Sequence, residues 1–286
     1  MNRRAPLLTR SPVDLVLTII AIVVVAFLFV PIVVIVIHSF NAGRLLIAWQ
    51  GFSFDPYVVM LQKPAIRSAV GVSLLTGVIA AVLATLAGTL AGIALARRPG
   101  RWAAWFLITL LLVSVTPEIV DAIALLPWLV TLGIDWQMPV FNNGIVRLVI
   151  GHSLFSIAIV SFIVRSRLVG IESQLEEASA DLYATPARTF RRITLPLAMP
   201  AVLTGGLLSF TLSLDNTIVS SFVAVSGSTT WPVYIWGALR GGLKPEVAAV
   251  STVMFVLTLL VLALVALVLR RSGDSAASIA RTLAAG

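Results

Sequence analysis

Long apolar runs restrict this chain to few folds. An α-helix needs roughly 20 mainly apolar residues to cross the hydrocarbon of a bilayer. Five runs meet that length, at about 15–37, 69–96, 145–164, 197–223 and 247–269. A sixth, at about 102–132, is interrupted by Pro117, Glu118, Asp121 and Pro127. Only 11% of the 286 residues are charged, against about 25% in soluble domains. The sequence therefore predicts an all-α polytopic membrane protein with six transmembrane helices, forming one domain over 1–286.

Arginines and lysines are distributed unequally between the two sides that six spans define. Fourteen of the twenty lie on the side of the termini, and five of these fall in the connection 165–196. Because positively charged loops stay in the cytoplasm, both termini and this connection are predicted to be cytoplasmic. The first apolar run follows three arginines, as a signal peptide does, but it lacks a small-residue cleavage site and is predicted to be retained. Topology thus explains the positive charge, and a nucleic-acid partner is not needed.

The connection 165–196 contains a polar segment with helix signals. Ser173 and Glu176 have the spacing of a capping box, which predicts a helix over about 174–182. A second helix start follows at Thr185-Pro186. Two later prolines mark the predicted entry into the fifth span, Pro196 and Pro200. Such a segment is either a well-capped solvated loop or a docking surface for a partner, and spacing alone leaves both open.

The pattern from Glu177 to Pro200 resembles the cytoplasmic E-A-A-x-x-x-G signature of ABC importer permeases. The matching positions are Glu177, Ala178, Ala184, Phe190, Ile193, Leu195, Pro196 and Pro200. The resemblance implies a type I, binding-protein-dependent importer permease with a methionine-permease-like core and a cytoplasmic coupling helix. It also implies that this helix docks on the ATP-hydrolysing subunit through Glu176, Glu177, Ala178, Asp181, Tyr183, Ala184 and Phe190.

Two positions depart from the signature. Ser179 replaces an alanine, and Tyr183 stands where the family has glycine. Glycine there permits a left-handed turn, a conformation that costs other residues roughly 1–2 kcal/mol. Two expectations are therefore open: the turn is built differently in this chain, or Tyr183 adopts the strained conformation.

Further motifs resemble spermidine/putrescine-type permeases within that family. They are His38-Ser39-Phe40-Asn41, Trp49-x-Gly51-Phe52-Ser53, Ser213-Leu214-Asp215-Asn216 and Thr229-Thr230-Trp231-Pro232. Asn216 replaces the second aspartate typical of the third motif, and Trp231 replaces a leucine typical of the fourth. The resemblance implies a permease subunit that moves polyamines into a bacterial cell by alternating access. A permease for a different small solute is the open alternative.

The same resemblance implies the partners and the location. A dimer of ATP-binding subunits would use ATP and Mg²⁺, and this chain itself would bind no cofactor. A second, related permease subunit would complete the pathway across the lipid bilayer of the inner (plasma) membrane. An extracytoplasmic substrate-binding protein would deliver solute to the outer segments near 38–66 and 224–246.

Acidic residues within apolar spans are costly and by default line a cavity or pair with other groups. Glu118 and Asp121 share one helix face, and Asp215 lies in a polar run of the fifth span. Three acids without an intramembrane lysine suit a cationic solute. We therefore predict a pathway lined by Glu118, Asp121, Asp215, Asn216 and Trp231. The alternatives are acids solvated at the outer rim or bonded to a neighbouring helix, and a tryptophan in an interfacial aromatic belt.

Two other features of the spans are typical of packing. Gly88-x-x-x-Gly92 is a pattern at which membrane helices approach closely. His152, in the fourth span, is expected to be a hydrogen-bonded packing residue, with a proton relay as the alternative.

Catalysis by this chain is not expected. Neither lysine follows a glycine, which excludes a Gly-Lys-[Ser/Thr] ATP-binding loop. Two histidines and no cysteine disfavour a zinc site, and no metal site is predicted. The sequence shows no nucleophile–base pair with the spacing that an intramembrane enzyme would need. An ion-coupled secondary transporter would show inverted repeats, which we do not detect. A permease driven by a separate ATPase is the favoured hypothesis.

Overall fold

The structure, a computed structural model, describes residues 12–98, 100–169 and 174–271. It is built from helices, and an isolated β-bridge joins Asn41 and Phe52. In chain order the α-helices are α1 (Pro12–His38), α2 (Asp55–Gln62), α3 (Pro64–Arg97), α4 (Arg101–Val115), α5 (Glu118–Val130), α6 (Gly144–Val169), α7 (Gln174–Asp181), α8 (Pro186–Thr189), α9 (Leu195–Asp215), α10 (Ile218–Val223), α11 (Trp231–Leu239) and α12 (Pro245–Arg271). Shorter turns are π-helical at Thr131–Asp135 and Phe190–Thr194 and 3₁₀-helical at Pro139–Asn142. The predicted capping residue Ser173 lies outside the described residues.

Five helical segments are long and apolar enough to cross a membrane. They are Leu15–His38, Pro64–Arg97, Gly144–Val169, Pro186–Asp215 and Pro245–Leu264. A sixth crossing results if α4 and the helix after it count as one span, bent by 104°. The predicted all-α, multi-pass architecture is therefore confirmed. The predicted single domain over 1–286 stays a prediction.

The predicted span 102–132 is broken where α4 meets α5. Thr116 is extended, with φ −63° and ψ 130°. Pro117 causes this, because it has no N–H to donate and its ring disfavours a helical conformation in the preceding residue. The carbonyl oxygen of Leu112 accepts from both the N–H of Thr116, at 2.9 Å, and its hydroxyl, at 2.7 Å. The break leaves both acids of the first turn of α5 beside the bend.

The fifth span differs from its predicted limits, 197–223, at both ends. At its start the helix begins at Pro186 and runs to Asp215, so the predicted second short helix is the first part of the span. A π-helical turn precedes Pro196, whose missing N–H removes one regular helical bond. At its end the prediction was wrong, because the helix stops at Asp215 and α10 follows as a separate helix.

The described residues form two compact units, one within 1–60 and 242–255 and the other within 61–241 and 256–286. In the first unit the side chain of Asn41 is fully buried. It bonds four backbone groups, the carbonyl oxygens of Leu45 and Ala48 and the N–H groups of Gly43 and Gln50. This one amide therefore holds the turn that follows α1.

Small residues set the distance between α3, α6 and α9 in the second unit. A Cβ atom at Gly88 would lie 2.6 Å from the Cβ of Val160, and one at Gly92 would lie 2.8 Å from the carbonyl oxygen of Ser161. Gly205 of α9 approaches Val160 as well, with 3.2 Å to its Cγ1. Val160 is fully buried between the three helices. The predicted packing role of Gly88-x-x-x-Gly92 is confirmed.

Gly88→Ala is expected to destabilise the protein, because the added methyl group forces α3 away from α6. Overpacking of this kind costs about 1–3 kcal/mol and will lower the midpoint of thermal unfolding of the purified protein in detergent. Gly71→Ala in the same helix is the control, because among the described residues nothing lies within 4 Å of a Cβ there. Equal midpoints for the two variants would contradict the packing role.

Candidate functional site

The predicted coupling helix forms as α7, and its first turn is tied to two membrane helices. Glu176 forms an ion pair with Arg97, at the end of α3, with 2.8 Å between Oε1 and Nη2. The same oxygen accepts a hydrogen bond from the hydroxyl of Thr194 at 2.7 Å. Thr194 ends the π-helical turn that leads into α9. One carboxylate thus links the polar segment, residues 174–190, to the ends of α3 and α9.

Neither partner of Glu176 was identified from the sequence. Arg97 entered the prediction only as one of the charges that set topology, and Thr194 not at all. Both lie far from Glu176 along the chain, and the spacing of a local motif contains no information about such pairs. The excess of arginine at span ends was the available signal for Arg97.

A pair of hydroxyl groups joins α7 to α8. The Oγ atom of Ser179 lies 2.6 Å from the Oγ1 atom of Thr189, and Ser179 is buried. The alanine of the family signature has no group for this bond. The departure at Ser179 therefore gives this chain an additional contact that fixes the angle between the two short helices.

Tyr183 adopts the left-handed conformation, with φ 58°. The N–H of Tyr183 donates to the carbonyl oxygen of Ala180 at 2.8 Å, and the N–H of Ala184 donates to that of Ser179 at 3.1 Å. These two bonds form a Schellman motif, in which the left-handed position is usually glycine. Of the two expectations for this turn, the strained one is correct: the shape of the turn is kept without the glycine.

The predicted coupling residues lie mostly on the surface of the polar segment. Tyr183 is 95% exposed, and Leu182 beside it is 82% exposed. The other exposed members of the predicted set are Glu177, Ala178, Asp181 and Phe190, while Glu176 and Ala184 are half-buried. The segment therefore presents an acidic helix face next to an apolar tip. Its role in docking a partner stays a prediction.

Two of the predicted pathway acids share the first turn of α5, and the third ends α9 just before α10, the helix that packs on α5. Asp215 is the last residue of α9 and is exposed, whereas Glu118 and Asp121, in the first turn of α5, are half-buried. Glu118 experiences the charges of both Asp215 and Asp121. The helix after Asp215, α10, packs on α5 through an apolar cluster that contains Leu125 and Val219. Packing of α5 on α10 thus concentrates negative charge at one place.

Asn216 terminates the fifth span by capping the helix that follows it. Its Oδ1 atom accepts hydrogen bonds from the N–H of Val219 at 3.1 Å and from the N–H of Ser220 at 3.4 Å. Its backbone has φ −66° and ψ 101°, outside the helical region. The side chain therefore replaces bonds that the interrupted helix loses. Asn216 is a structural residue of the break as well as a predicted pathway residue.

His152 is buried in α6 and hydrogen-bonds two serines, Ser213 and Ser220. These bonds agree with the expectation of a hydrogen-bonded packing residue. Both partners lie more than sixty positions away, and no local pattern in the sequence identified them.

Trp231 is buried, with 4% of its surface exposed. Its backbone N–H donates to the hydroxyl of Ser73 in α3 at 2.7 Å, and its ring stacks on Tyr234 with 5.4 Å between centroids. Trp236, in contrast, is 63% exposed. The structure thus places Trp231 against α3, and its contact with a solute stays a prediction.

This chain is similar in sequence to known proteins over most of its length. The family described as binding-protein-dependent transport system inner membrane component matches residues 88–274. The putrescine transport system permease protein PotI of Escherichia coli (strain K12) is 37% identical over 251 residues, covering 86% of each chain. The spermidine/putrescine transport system permease protein PotC of Haemophilus influenzae is 37% identical over 250 residues, covering 87% of this chain and 95% of the relative.

Solved structures share the fold. A chain of a bacterial ABC transporter involved in the import of the acidic polysaccharide alginate superposes with a TM-score of 0.64 at 17% identity, covering 91% of this chain and 98% of that one. A chain of the MetNI methionine ABC transporter superposes with a TM-score of 0.57 at 15% identity, covering 77% and 99%. The predicted methionine-permease-like core is confirmed.

Arg97→Ala is expected to loosen α7 from the end of α3. The ion pair is partly exposed to solvent, so its loss should be worth at most about 1 kcal/mol, or on the order of fivefold in the local opening equilibrium. Hydrogen exchange of the amides of α7 in the purified protein measures this change. Arg98→Ala, the exposed neighbour, removes the same charge and should leave exchange unaltered. Equal exchange in both variants would mean that the ion pair does not hold α7.

Tyr183→Gly is expected to stabilise the turn relative to Tyr183→Ala. Both variants lose the aromatic ring, but only glycine adopts the left-handed conformation without steric cost. The difference in stability of the turn should be on the order of 1 kcal/mol. It is measured as slower hydrogen exchange, in the glycine variant, of the backbone amides at positions 183 and 184. Faster exchange in the glycine variant than in the alanine variant would contradict the assignment of strain.

Proposed function

The chain belongs to the family of binding-protein-dependent transport system inner membrane components, and from that premise we propose that it is the permease subunit of an ATP-driven importer of polyamines. The observation that carries this proposal is 37% identity over 86% of the chain to a putrescine transport permease. The relative named for spermidine and putrescine supports the same class of solute. The chain is a multi-pass membrane protein, and we place both termini and the polar segment in the cytoplasm.

The grouped acids support a cationic solute. Asp215 and Glu118 lie where two helices are interrupted, with Asp121 on the same turn of α5 as Glu118. Glu118 and Asp121 are half-buried, and carboxylates that are partly removed from water attract a cation more strongly than exposed ones, because the effective dielectric constant is lower. A polyamine carries several ammonium groups and can neutralise more than one of these carboxylates at a time.

The polar segment supports coupling to a separate ATPase. Its exposed surface contains the signature residues, and its inner side is bonded to α3 and α9 through Glu176. In this proposal ATP and Mg²⁺ bind to a dimer of partner subunits, and this chain is non-catalytic. A movement of the docked segment reaches the membrane helices through the Glu176 contacts and through α8, which continues into the fifth span.

Two further partners complete the proposed transporter. A second, related permease subunit supplies the other half of the pathway in this proposal. An extracytoplasmic binding protein delivers the solute to the segments near 38–66 and 224–246. Within the first of these, Phe40, Phe52 and Phe54 form an aromatic cluster.

Putrescine and spermidine are expected to stimulate ATP hydrolysis by the complete complex, reconstituted in proteoliposomes with its binding protein. Asp215→Asn and Glu118→Gln should each lower polyamine uptake by about tenfold or more, the order expected when a bound ammonium group loses one carboxylate partner. Asp135→Asn is the control, because Asp135 is exposed as Asp215 is but lies at the far end of the segment that begins with α5.

If a neutral sugar or another solute stimulates ATP hydrolysis and polyamines do not, the assignment as a permease stands and the polyamine assignment is wrong. Equal uptake in the Asp215→Asn and Asp135→Asn variants would overturn the proposed role of the acids.

A further inference from the structure

The imidazole of His152 contacts the fifth span on both sides of its interruption. Its Nδ1 atom lies 2.6 Å from the hydroxyl oxygen of Ser213, in the last turn of α9. Its Nε2 atom lies 2.9 Å from the hydroxyl oxygen of Ser220, in α10. Each of the three side chains is at most 5% exposed. One ring from α6 therefore bridges two helices whose junction, at Asp215 and Asn216, is not helical.

The directions of these hydrogen bonds follow from the partners of Ser220. The Ser220 hydroxyl donates to the carbonyl oxygen of Asn216 at 2.7 Å, so its oxygen accepts from the Nε2–H of His152. A neutral imidazole has one N–H and one acceptor nitrogen, and Nδ1 therefore accepts the proton of the Ser213 hydroxyl. The bonds run in one direction, from Ser213 through the ring and Ser220 to a carbonyl group at the break.

The surroundings of His152 keep α10 close to α6. A Cβ atom at Gly151 would lie 2.6 Å from the Cγ1 of Val219, so the glycine beside the histidine allows α10 to approach α6. Asn216 caps α10 from within the break. Two side chains thus fix the angle between α9 and α10: Asn216, which lies in the break between them, and His152, which contacts both from α6.

A histidine that only fills space would not need both ring nitrogens bonded across an interruption. Other buried serines nearby bond within their own helix, as Ser209 does with the carbonyl oxygen of Gly205 and Ser153 with that of Val149. Ser213 and Ser220 are different because their hydroxyl groups meet a side chain from α6. Buried polar groups that are fully bonded specify one arrangement of the elements they join.

We propose that His152 is a positioning residue, which clamps α9 and α10 through Ser213 and Ser220 and thereby fixes the direction in which Asp215 is presented. The inference rests on the proposed function in one respect, namely that Asp215 faces the path of the solute. The geometry of the clamp is independent of which solute is carried.

Single hydroxyl deletions test the clamp in the reconstituted complex. Ser213→Ala and Ser220→Ala are expected to lower the maximal rate of putrescine uptake by about tenfold each, the order of one buried hydrogen bond with an orphaned partner. The concentration of putrescine-loaded binding protein that gives half the maximal rate should not change, because the outer segments are untouched. Ser209→Ala removes an equally buried hydroxyl of α9 and should transport at the unaltered rate.

Non-additivity distinguishes a clamp from two separate contacts. The double variant Ser213→Ala/Ser220→Ala and the variant His152→Gln should be no slower than about the slower single variant, because one broken link already releases the bridge. Multiplied losses in the double variant, or a Ser213→Ala variant equal to Ser209→Ala, would overturn the proposal.

A labelling experiment separates failure of the clamp from failure of the polyamine assignment. The chain has no cysteine, so Thr217→Cys introduces one thiol at the break, and the rate of its modification by a maleimide is read on this chain by mass spectrometry. Ser213→Ala and Ser220→Ala should change that rate by about threefold or more, and Ser209→Ala should not. If polyamines are not transported but the rates change, the clamp stands and the solute assignment falls. Unchanged rates refute the clamp whatever the solute.

Discussion

Backbone N–H and C=O groups have no water to bond within the hydrocarbon of a bilayer, so a chain there stays helical unless other groups replace the lost bonds. The long helices α3 and α6 meet this constraint along their length. The fold interrupts helices before Pro117 and at Asn216. At the second of these, the side chain of Asn216 accepts from N–H groups of the helix that follows. Acids lie directly at both interruptions, so charge is placed where the backbone is already non-helical.

Helix α6 organises the second unit around these interruptions. Its Val160 lies against glycines of α3 and α9, and its Gly151 admits α10. Residue 152 then contributes the one imidazole that the described ranges place against the break in the fifth span. Apolar contacts set how near the helices come to one another, and hydrogen bonds set the angles at which they are interrupted. Dispersion contacts hold helices at a given distance but do not depend on orientation. The arrangement of the helices therefore requires both apolar contacts and hydrogen bonds.

Hydropathy predicted the spans because it depends on averages over many residues. The packing role of Gly88 and Gly92 was predictable because their spacing is a local pattern. The bend at Pro117 had a signal in proline itself, although the angle of 104° had none. The end of the fifth span was missed because the average over 197–223 is apolar even though Asn216 lies in a polar run, and its cap depends on side-chain geometry. Contacts of Glu176 with Arg97, and of His152 with two distant serines, depend on tertiary packing that no local spacing encodes. The left-handed turn at Tyr183 was open from the sequence and needed the backbone to decide it.

Helix α8, the π-helical turn and α9 form one helix of 30 residues, about 45 Å long at 1.5 Å per residue. One end adjoins the turn at Tyr183, and the other end is Asp215. A rod of that length acts as a lever: a tilt of about 5° around one end displaces the other by about 4 Å. That displacement exceeds the length of a hydrogen bond. A rotation of the polar segment too slight to melt any helix is therefore enough to make or break individual contacts at the acids.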